Sequence, residues 1–208
     1  MKHSDVSIQM KDDPLRNAVE CIARGGIAGI PTETYYGLAV DPENEEALER
    51  LFRIKMRPES KPVLVLISCR EQLESLVADI PDTYVELMDE FWPGPLTLVF
   101  QARAGVSSLL TAGTGTVGIR QTPHPVARAM IESIGKPITA TSANISGQPP
   151  ASSAADVCRM FGKEIDCIVD GGESGEKMPS TVVRPRGDEF CIERHGVVDL
   201  RSRFSLCY

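Results

Sequence analysis

The sequence predicts an α/β fold: a single domain with a twisted mixed parallel and antiparallel sheet flanked by helices. Three observations predict it. Segments of helical period alternate with β-branched runs along the whole chain. The run Val63-Leu64-Val65-Leu66-Ile67 is apolar at every position, the pattern of a strand covered on both faces. No linker-like stretch, low-complexity tract or internal repeat divides the chain, so residues 1–208 read as one domain with its core at about 12–200.

Each element has a local reason. Asp12-Asp13-Pro14 opens a helix with an acidic cap and a proline in the first turn. Leu15, Ala18, Val19, Ile22 and Ala23 then share one stripe, and Gly25-Gly26 end the helix. Ile27-Ala28-Gly29-Ile30 is a short buried strand that stops at Pro31. A second helix covers 45–55, capped by Asn44, with Leu48, Leu51 and Phe52 inward. After the strand at 63–67 come helices near 70–77 and 82–91, divided by Pro81. Trp92-Pro93-Gly94-Pro95 is a rigid turn into a strand at 96–100, and Val117-Gly118-Ile119-Arg120 is another strand. Helices near 125–134 and 153–161 precede strands at 136–140 and 167–169, and 180–183 with 190–193 form a late antiparallel pair.

Composition narrows the function. A chain of 208 residues, 42% hydrophobic and 25% charged, can bury a substantial core. Its net charge of -7 argues against a protein that coats nucleic acid, yet permits a local basic cleft. No run reaches the roughly 18 apolar residues of a membrane span. Met1-Lys2-His3-Ser4-Asp5 lacks the apolar core of a signal peptide, so a cytoplasmic protein is expected. Six cysteines without metal-ligand spacing and three scattered histidines (His3, His124, His195) give no metal site. The cysteines are expected to be reduced, small core residues.

Two glycine-rich strings are decoys. Gly113-Thr114-Gly115-Thr116-Val117-Gly118 matches the dinucleotide fingerprint, but a strand-like run follows it rather than a helix. Its backbone N–H groups are still available to an anion. Gly171-Gly172-Glu173-Ser174-Gly175-Glu176-Lys177 lacks the phosphate-loop spacing and the Ser/Thr that must follow the lysine.

The chemistry concentrates at element ends. Lys55-Met56-Arg57 puts two cations one residue apart where a helix stops, and Ser142-Ala143-Asn144 puts a hydroxyl and an amide in the same arrangement after a strand. Cations grip phosphate oxygens, and the hydroxyl and amide can complete a nucleotide pocket. Dipole capping is the competing explanation for one of the cations. It does not cover Lys61, a third cation in the constrained loop Arg57-Pro58-Glu59-Ser60-Lys61-Pro62. Pro31-Thr32-Glu33-Thr34-Tyr35-Tyr36-Gly37-Leu38 crowds polar residues at a strand end, where α/β sheets bind ligands. Arg120, also at a strand end, can clamp a carboxylate with two parallel hydrogen bonds. Ser180 and Arg194 add polar points at further strand ends.

Six segments in one order resemble the YrdC family, the threonylcarbamoyl-AMP synthases, over about 15–200. They are residues 31–38, Lys55-Met56-Arg57-Pro58, Pro93-Gly94-Pro95-Leu96-Thr97, Val117-Gly118-Ile119-Arg120, Ser142-Ala143-Asn144-Ile145-Ser146-Gly147 and Pro179-Ser180-Thr181-Val182-Val183. The resemblance implies a YrdC/RibB-like sheet with a concave cationic cleft. It also implies a nucleotidyltransferase that condenses L-threonine, bicarbonate and ATP to threonylcarbamoyl-AMP, pyrophosphate and water. The product would feed a tRNA-modifying threonylcarbamoyl transferase. By the same resemblance Lys55 and Arg57 are catalytic and, with Lys61, hold the ATP phosphates, with Mg²⁺ carried by the nucleotide. Thr116, Ser142, Asn144 and Arg194 complete the ATP side, while Thr34, Arg120 and Ser180 hold threonine. The chain matches the short form, without the extra C-terminal domain of longer members. The alternative is a non-catalytic RNA-binding module of the same fold that grips tRNA or double-stranded RNA on its cationic face. A groove that only tracked phosphates would not need Arg120 or the Thr34 loop. No general base stands out, which suits chemistry that depends on positioning, charge neutralisation and exclusion of water.

Overall fold

The computed structural model describes residues 13–58, 60–174, 178–186 and 189–206. The readings of Met1–Asp5 and Asp12, and of Glu59, Gly175, Glu176, Lys177 and Cys207, lie outside the described residues.

Helix α1 (Pro14–Ala23) starts as expected: Asp13 Oδ1 accepts from the backbone N–H of Leu15 at 3.0 Å and Arg16 at 3.4 Å. Helix α2 (Glu45–Lys55) is capped by Asn44, whose Oδ1 accepts from Ala47 N at 2.9 Å. Helices α3 (Asp82–Phe91), α5 (Pro125–Ile134) and α6 (Ala154–Phe161) fall where the periodicity puts them. The stretch at 70–77 is a 3₁₀ helix over Arg70–Ser75 instead of an α-helix, and a second 3₁₀ turn covers Gly162–Glu164. One short helix, α4 (Ser108–Thr111), has too few residues to show a period.

The expected sheet is divided in two, and each part is mixed. The smaller sheet contains β1 (Ala28–Ile30), β2 (Gly37–Ala39), β7 (Thr141–Ser142) and β8 (Cys167–Ile168) in the order β7-β2-β1-β8. The larger contains β3 (Val65–Ile67), β4 (Leu96–Gln101), β5 (Thr116–Gln121), β6 (Ile138–Thr139), β9 (Thr181–Arg186), β10 (Glu189–Arg194) and β11 (Ser205–Leu206). Its order is β11-β10-β9-β4-β5-β3-β6, with β3–β5, β4–β9 and β10–β11 parallel. The division happens inside one run. Residues 138–139 pair with β3, and residues 141–142 pair with β2. Ala140 N donates to Leu64 O at 2.9 Å and Ala143 N to Tyr36 O at 2.7 Å, so this segment passes from one sheet to the other.

The core of the larger sheet is closed by Tyr84 of α3. Its ring meets Phe100 edge-on at 4.9 Å between centroids. Its hydroxyl donates toward Val99 O at 3.0 Å and Val183 O at 3.2 Å, which joins the paired strands β4 and β9. Burial pushes this phenol well above its usual range. Cys21, Cys69, Cys158 and Cys167 are free thiols, whereas Cys191 is disulfide-bonded, so the all-reduced expectation fails at that residue. Cys191 is buried on β10 opposite Ser205 of β11, a neighbour that its sequence position does not reveal. Among the described residues no helix is long and apolar enough to cross a membrane.

Replacing Tyr84 with Phe keeps the ring packing and removes the hydroxyl. Urea unfolding should show a loss of about 1 kcal/mol. An unchanged midpoint would mean that the two carbonyls do not depend on this donor.

Candidate functional site

A cavity of about 720 Å³ is lined from both sheets, by Gly37 and Ser142 on one side and by residues of β4, β5, β9 and β10 on the other. Eight of the ten residues expected to form the site line it: Thr34, Arg57, Lys61, Thr116, Arg120, Ser142, Ser180 and Arg194. Lys55 and Asn144 do not.

Lys55 is only 1% exposed. Its ammonium donates to Ser142 O, and to Asn144 O at 2.8 Å. The two motifs read separately in the sequence are therefore joined, with the lysine of one holding the backbone of the other. The helix period shows why Lys55 turns inward: Leu48, Leu51, Phe52 and Lys55 share the buried face of α2. Burial, and then the nearby Arg57, pull its ammonium from an ordinary lysine's 10.5 down to about 7.

Met56 makes the next turn possible. It sits in the left-handed region at φ 48°, a conformation costly for a side-chain-bearing residue, and it caps α2. Arg57 N then returns to Phe52 O at 3.0 Å, and the chain reverses so that Arg57 lines the cavity. Arg57 Nε donates to Lys61 O at 3.2 Å and Nη2 to Pro62 O at 2.7 Å, bracing the loop that carries Lys61. Lys61 itself is exposed at the rim. Ser142 Oγ donates to Asn144 Oδ1 at 2.6 Å, and Asn144 Nδ2 donates to Gln148 O at 2.7 Å. Asn144 thus shapes the loop while Ser142 meets the cavity.

The opposite wall is held as tightly. Ser180 is 1% exposed, with its Oγ 2.8 Å from Thr97 Oγ1. Arg194 donates through Nη2 to Ser180 Oγ at 3.0 Å, and through Nε to Ser180 O at 3.1 Å. A register shift in β10 between Ile192 and Arg194 accompanies this placement. Arg194 was expected on the nucleotide side and Ser180 on the threonine side, so one contact joins the two halves. Thr34 is buried at the start of the opposite loop, with its Oγ1 3.2 Å from Thr32 Oγ1. Thr116 Oγ1 lies 2.8 Å from Thr114 Oγ1, where the glycine-rich string enters β5. Arg120 is 3% exposed, and its Nε is 2.7 Å from Glu33 Oε1. Burial lowers the pKa of Arg57, Arg120 and Arg194, yet guanidinium groups stay charged at any working pH.

Sequence reasoning did not single out Glu33, Thr97 or Arg184. Glu33 and Thr97 lie inside segments already recognised, and alternation along the strand could have flagged Arg184 beside Val182.

Fold and cavity together define the class: an α/β protein whose two mixed sheets enclose a cleft of hydroxyl and guanidinium groups. The chain belongs to the Sua5/YciO/YrdC family, whose model, described as telomere recombination, matches residues 20–196. It is 40% identical over 179 residues to the threonylcarbamoyl-AMP synthase of Pyrococcus abyssi, covering 86% of this chain and 53% of that one. It is 37% identical over 175 residues to the threonylcarbamoyl-AMP synthase of Idiomarina loihiensis, covering 83% and 94% respectively. The chain therefore spans about half the length of the first relative and nearly all of the second. In structure it is similar to P. abyssi Sua5 complexed with L-threonine, with a TM-score of 0.87, 39% identity and coverage of 90% and 55%. It is also similar to E. coli YciO, with a TM-score of 0.82, 27% identity and coverage of 90% and 91%.

The Lys55 tie has a pH signature. Between about 7 and 10.5 the unfolded chain holds a proton that the folded chain has released. The contribution of Lys55 to stability therefore rises with pH through that window. The stability of the parental protein minus that of Lys55→Met, from urea unfolding, should grow from pH 7 to pH 10. A flat or shrinking difference contradicts the claim that burial lowers the Lys55 pKa.

Proposed function

We propose that this chain is an L-threonylcarbamoyladenylate synthase that condenses L-threonine, bicarbonate and ATP, releasing pyrophosphate and water. One observation carries the reading: residues expected for the threonine side and for the ATP side converge on a single cavity of about 720 Å³. The relatives named threonylcarbamoyl-AMP synthase, and the similar structure that holds L-threonine, support it.

The geometry supports the following roles. Arg57 and Lys61 reach the triphosphate from the loop after α2, and Ser142 and Thr116 meet the nucleotide. Lys55 acts through the Ser142 and Asn144 carbonyls, as a positioning residue for that edge. Arg120 takes the threonine carboxylate, with Thr34 and Ser180 beside it. Bicarbonate taking up a proton and losing water gives CO₂, to which the neutral amine of threonine adds, losing a proton, to give a carbamate. Its oxygen attacks the α-phosphorus as pyrophosphate leaves. A carbamate is short-lived in water, so the wall must bring both substrates together and neutralise developing charge. The charged side chains lining the cavity among the described residues are Arg57, Lys61, Arg120, Arg184, Arg194 and Glu193. That set suits anions.

Magnesium enters as part of the substrate, carried on the ATP phosphates. No group of three or more Asp, Glu, His or Cys side chains converges on a metal position among the described residues, and Glu193 is the one carboxylate residue lining the cavity. The adenylate would pass to a tRNA-modifying threonylcarbamoyl transferase in the cytoplasm. The buried positions of Arg120 and Ser180 favour a small ligand over an RNA backbone, which needs exposed cations.

Radiolabelled bicarbonate should be incorporated with ATP and threonine. Arg57→Ala should fold normally and lose about 2–4 kcal/mol of transition-state stabilisation, the scale of one preorganised charge-stabilising group. Pyrophosphate release by the variant at the parental rate would refute the phosphate role.

A further inference from the structure

Glu33 has no part in the roles above, yet its carboxylate lies directly behind the cavity wall, against Arg120, which lines the cavity, and Thr122. It stands between Thr32 and Thr34 in the loop after β1, with its side chain 12% exposed. Its Oε2 accepts from Thr122 Oγ1 at 2.7 Å, and Thr122 Oγ1 also accepts from His124 N at 3.1 Å, at the start of α5. The carboxylate is thus held by one hydroxyl, itself anchored at the start of α5. Its Oε1 lies 2.7 Å from Arg120 Nε, but the two atoms are not aligned as a hydrogen bond, and both are sealed from solvent. Nη1 and Nη2 of Arg120 have no hydrogen-bond partner among the described residues and are not among the sealed atoms, although the residue as a whole is 3% exposed.

We propose that Glu33 is the positioning residue for the threonine carboxylate: it occupies the Nε edge of Arg120 and leaves the Nη pair to meet the substrate end-on. This rests on the threonine reading of the cavity. A guanidinium can grip a carboxylate through its Nε edge or through its two Nη atoms, and the two modes put the carboxylate in different places. Glu33 closes the first. It also lets a buried cation wait without water, because an unpaired guanidinium at this depth would draw solvent or turn away.

Removing the charge of Glu33 has two opposed consequences. It bares the full charge of Arg120, which attracts any carboxylate, and it frees the guanidinium to rotate. Orientation should prevail, because the benefit of a bidentate pair depends on its geometry and Arg194 already supplies charge close to Arg120.

The test compares threonine with threoninamide, which lacks the carboxylate charge. In Glu33→Gln the KM for threonine should rise about tenfold, the size of one lost charge-assisted hydrogen bond. The KM for ATP and the inhibition constant of threoninamide should stay within about twofold of parental values, since neither uses the Arg120 clamp. Glu33→Asp keeps the charge but draws it back by one methylene, so it should show a smaller rise in the same direction. It decides the matter if Glu33→Gln does not fold. A parental or lowered KM for threonine, or equal weakening of threonine and threoninamide, would overturn the proposal. If the parental protein incorporates bicarbonate and Arg120→Ala weakens threonine while both Glu33 variants do not, only the role of Glu33 falls. If the parental protein neither binds nor uses threonine, the reading beneath it falls too, and this proposal with it.

Discussion

The contact on which the rest of the cavity depends is the buried ammonium of Lys55 on the carbonyls of Ser142 and Asn144. It fastens the end of α2 to the segment that leaves one sheet and enters the other. Without it, the loop bearing Arg57 and the loop bearing Ser142 would share no side-chain anchor at that point, and the cavity's edge would depend on backbone contacts such as Ser146 N to Lys55 O at 2.9 Å. A lysine is a costly choice for such a tie, since burial works against its charge. What it supplies is a nitrogen whose N–H groups, two even when neutral, can satisfy two carbonyls that no apolar residue could.

The same physics recurs across the cavity. Arg57 uses its guanidinium to brace residues 61–62, Arg194 to hold Ser180, and Arg120 to face Glu33. Arg120 is buried, Arg57 half-buried and Arg194 more exposed, yet each borders the same space. Cations already fixed by such contacts need little reorganisation when an anion arrives. The left-handed turn at Met56 is part of this arrangement, because it sends Arg57 toward the cavity directly after the helix face has turned Lys55 inward.

Much of this was legible in the sequence, for physical reasons. The Asp13 and Asn44 caps, the stripes of α1 and α2 and the apolar run before Ile67 all express local rules, and the structure follows them. The division into two sheets was not legible, since β6 and β7 are two residues each and differ only in which neighbour they meet. The polar segments at the ends of strands and of helix α2 led to eight residues of the cavity because ligand-facing loops need small and charged side chains. The direction of Lys55 was misjudged although the information was present: it continues the Leu48, Leu51 and Phe52 stripe, and its charge drew attention away from its position. Glu33 stayed unseen because its partner is supplied by β5, far along the chain.

The central claim is that one cavity between the sheets holds both substrates, with Arg57 and Lys61 on the phosphates, Arg120 on the carboxylate and Lys55 behind the wall. A crystal structure with L-threonine and a non-hydrolysable ATP analogue tests it most directly. The account predicts both ligands in the cavity, the carboxylate on the Nη atoms of Arg120, and the Lys55 ammonium still on the carbonyls of Ser142 and Asn144. A triphosphate bound directly by Lys55, or a nucleotide seated outside the cavity, would contradict it.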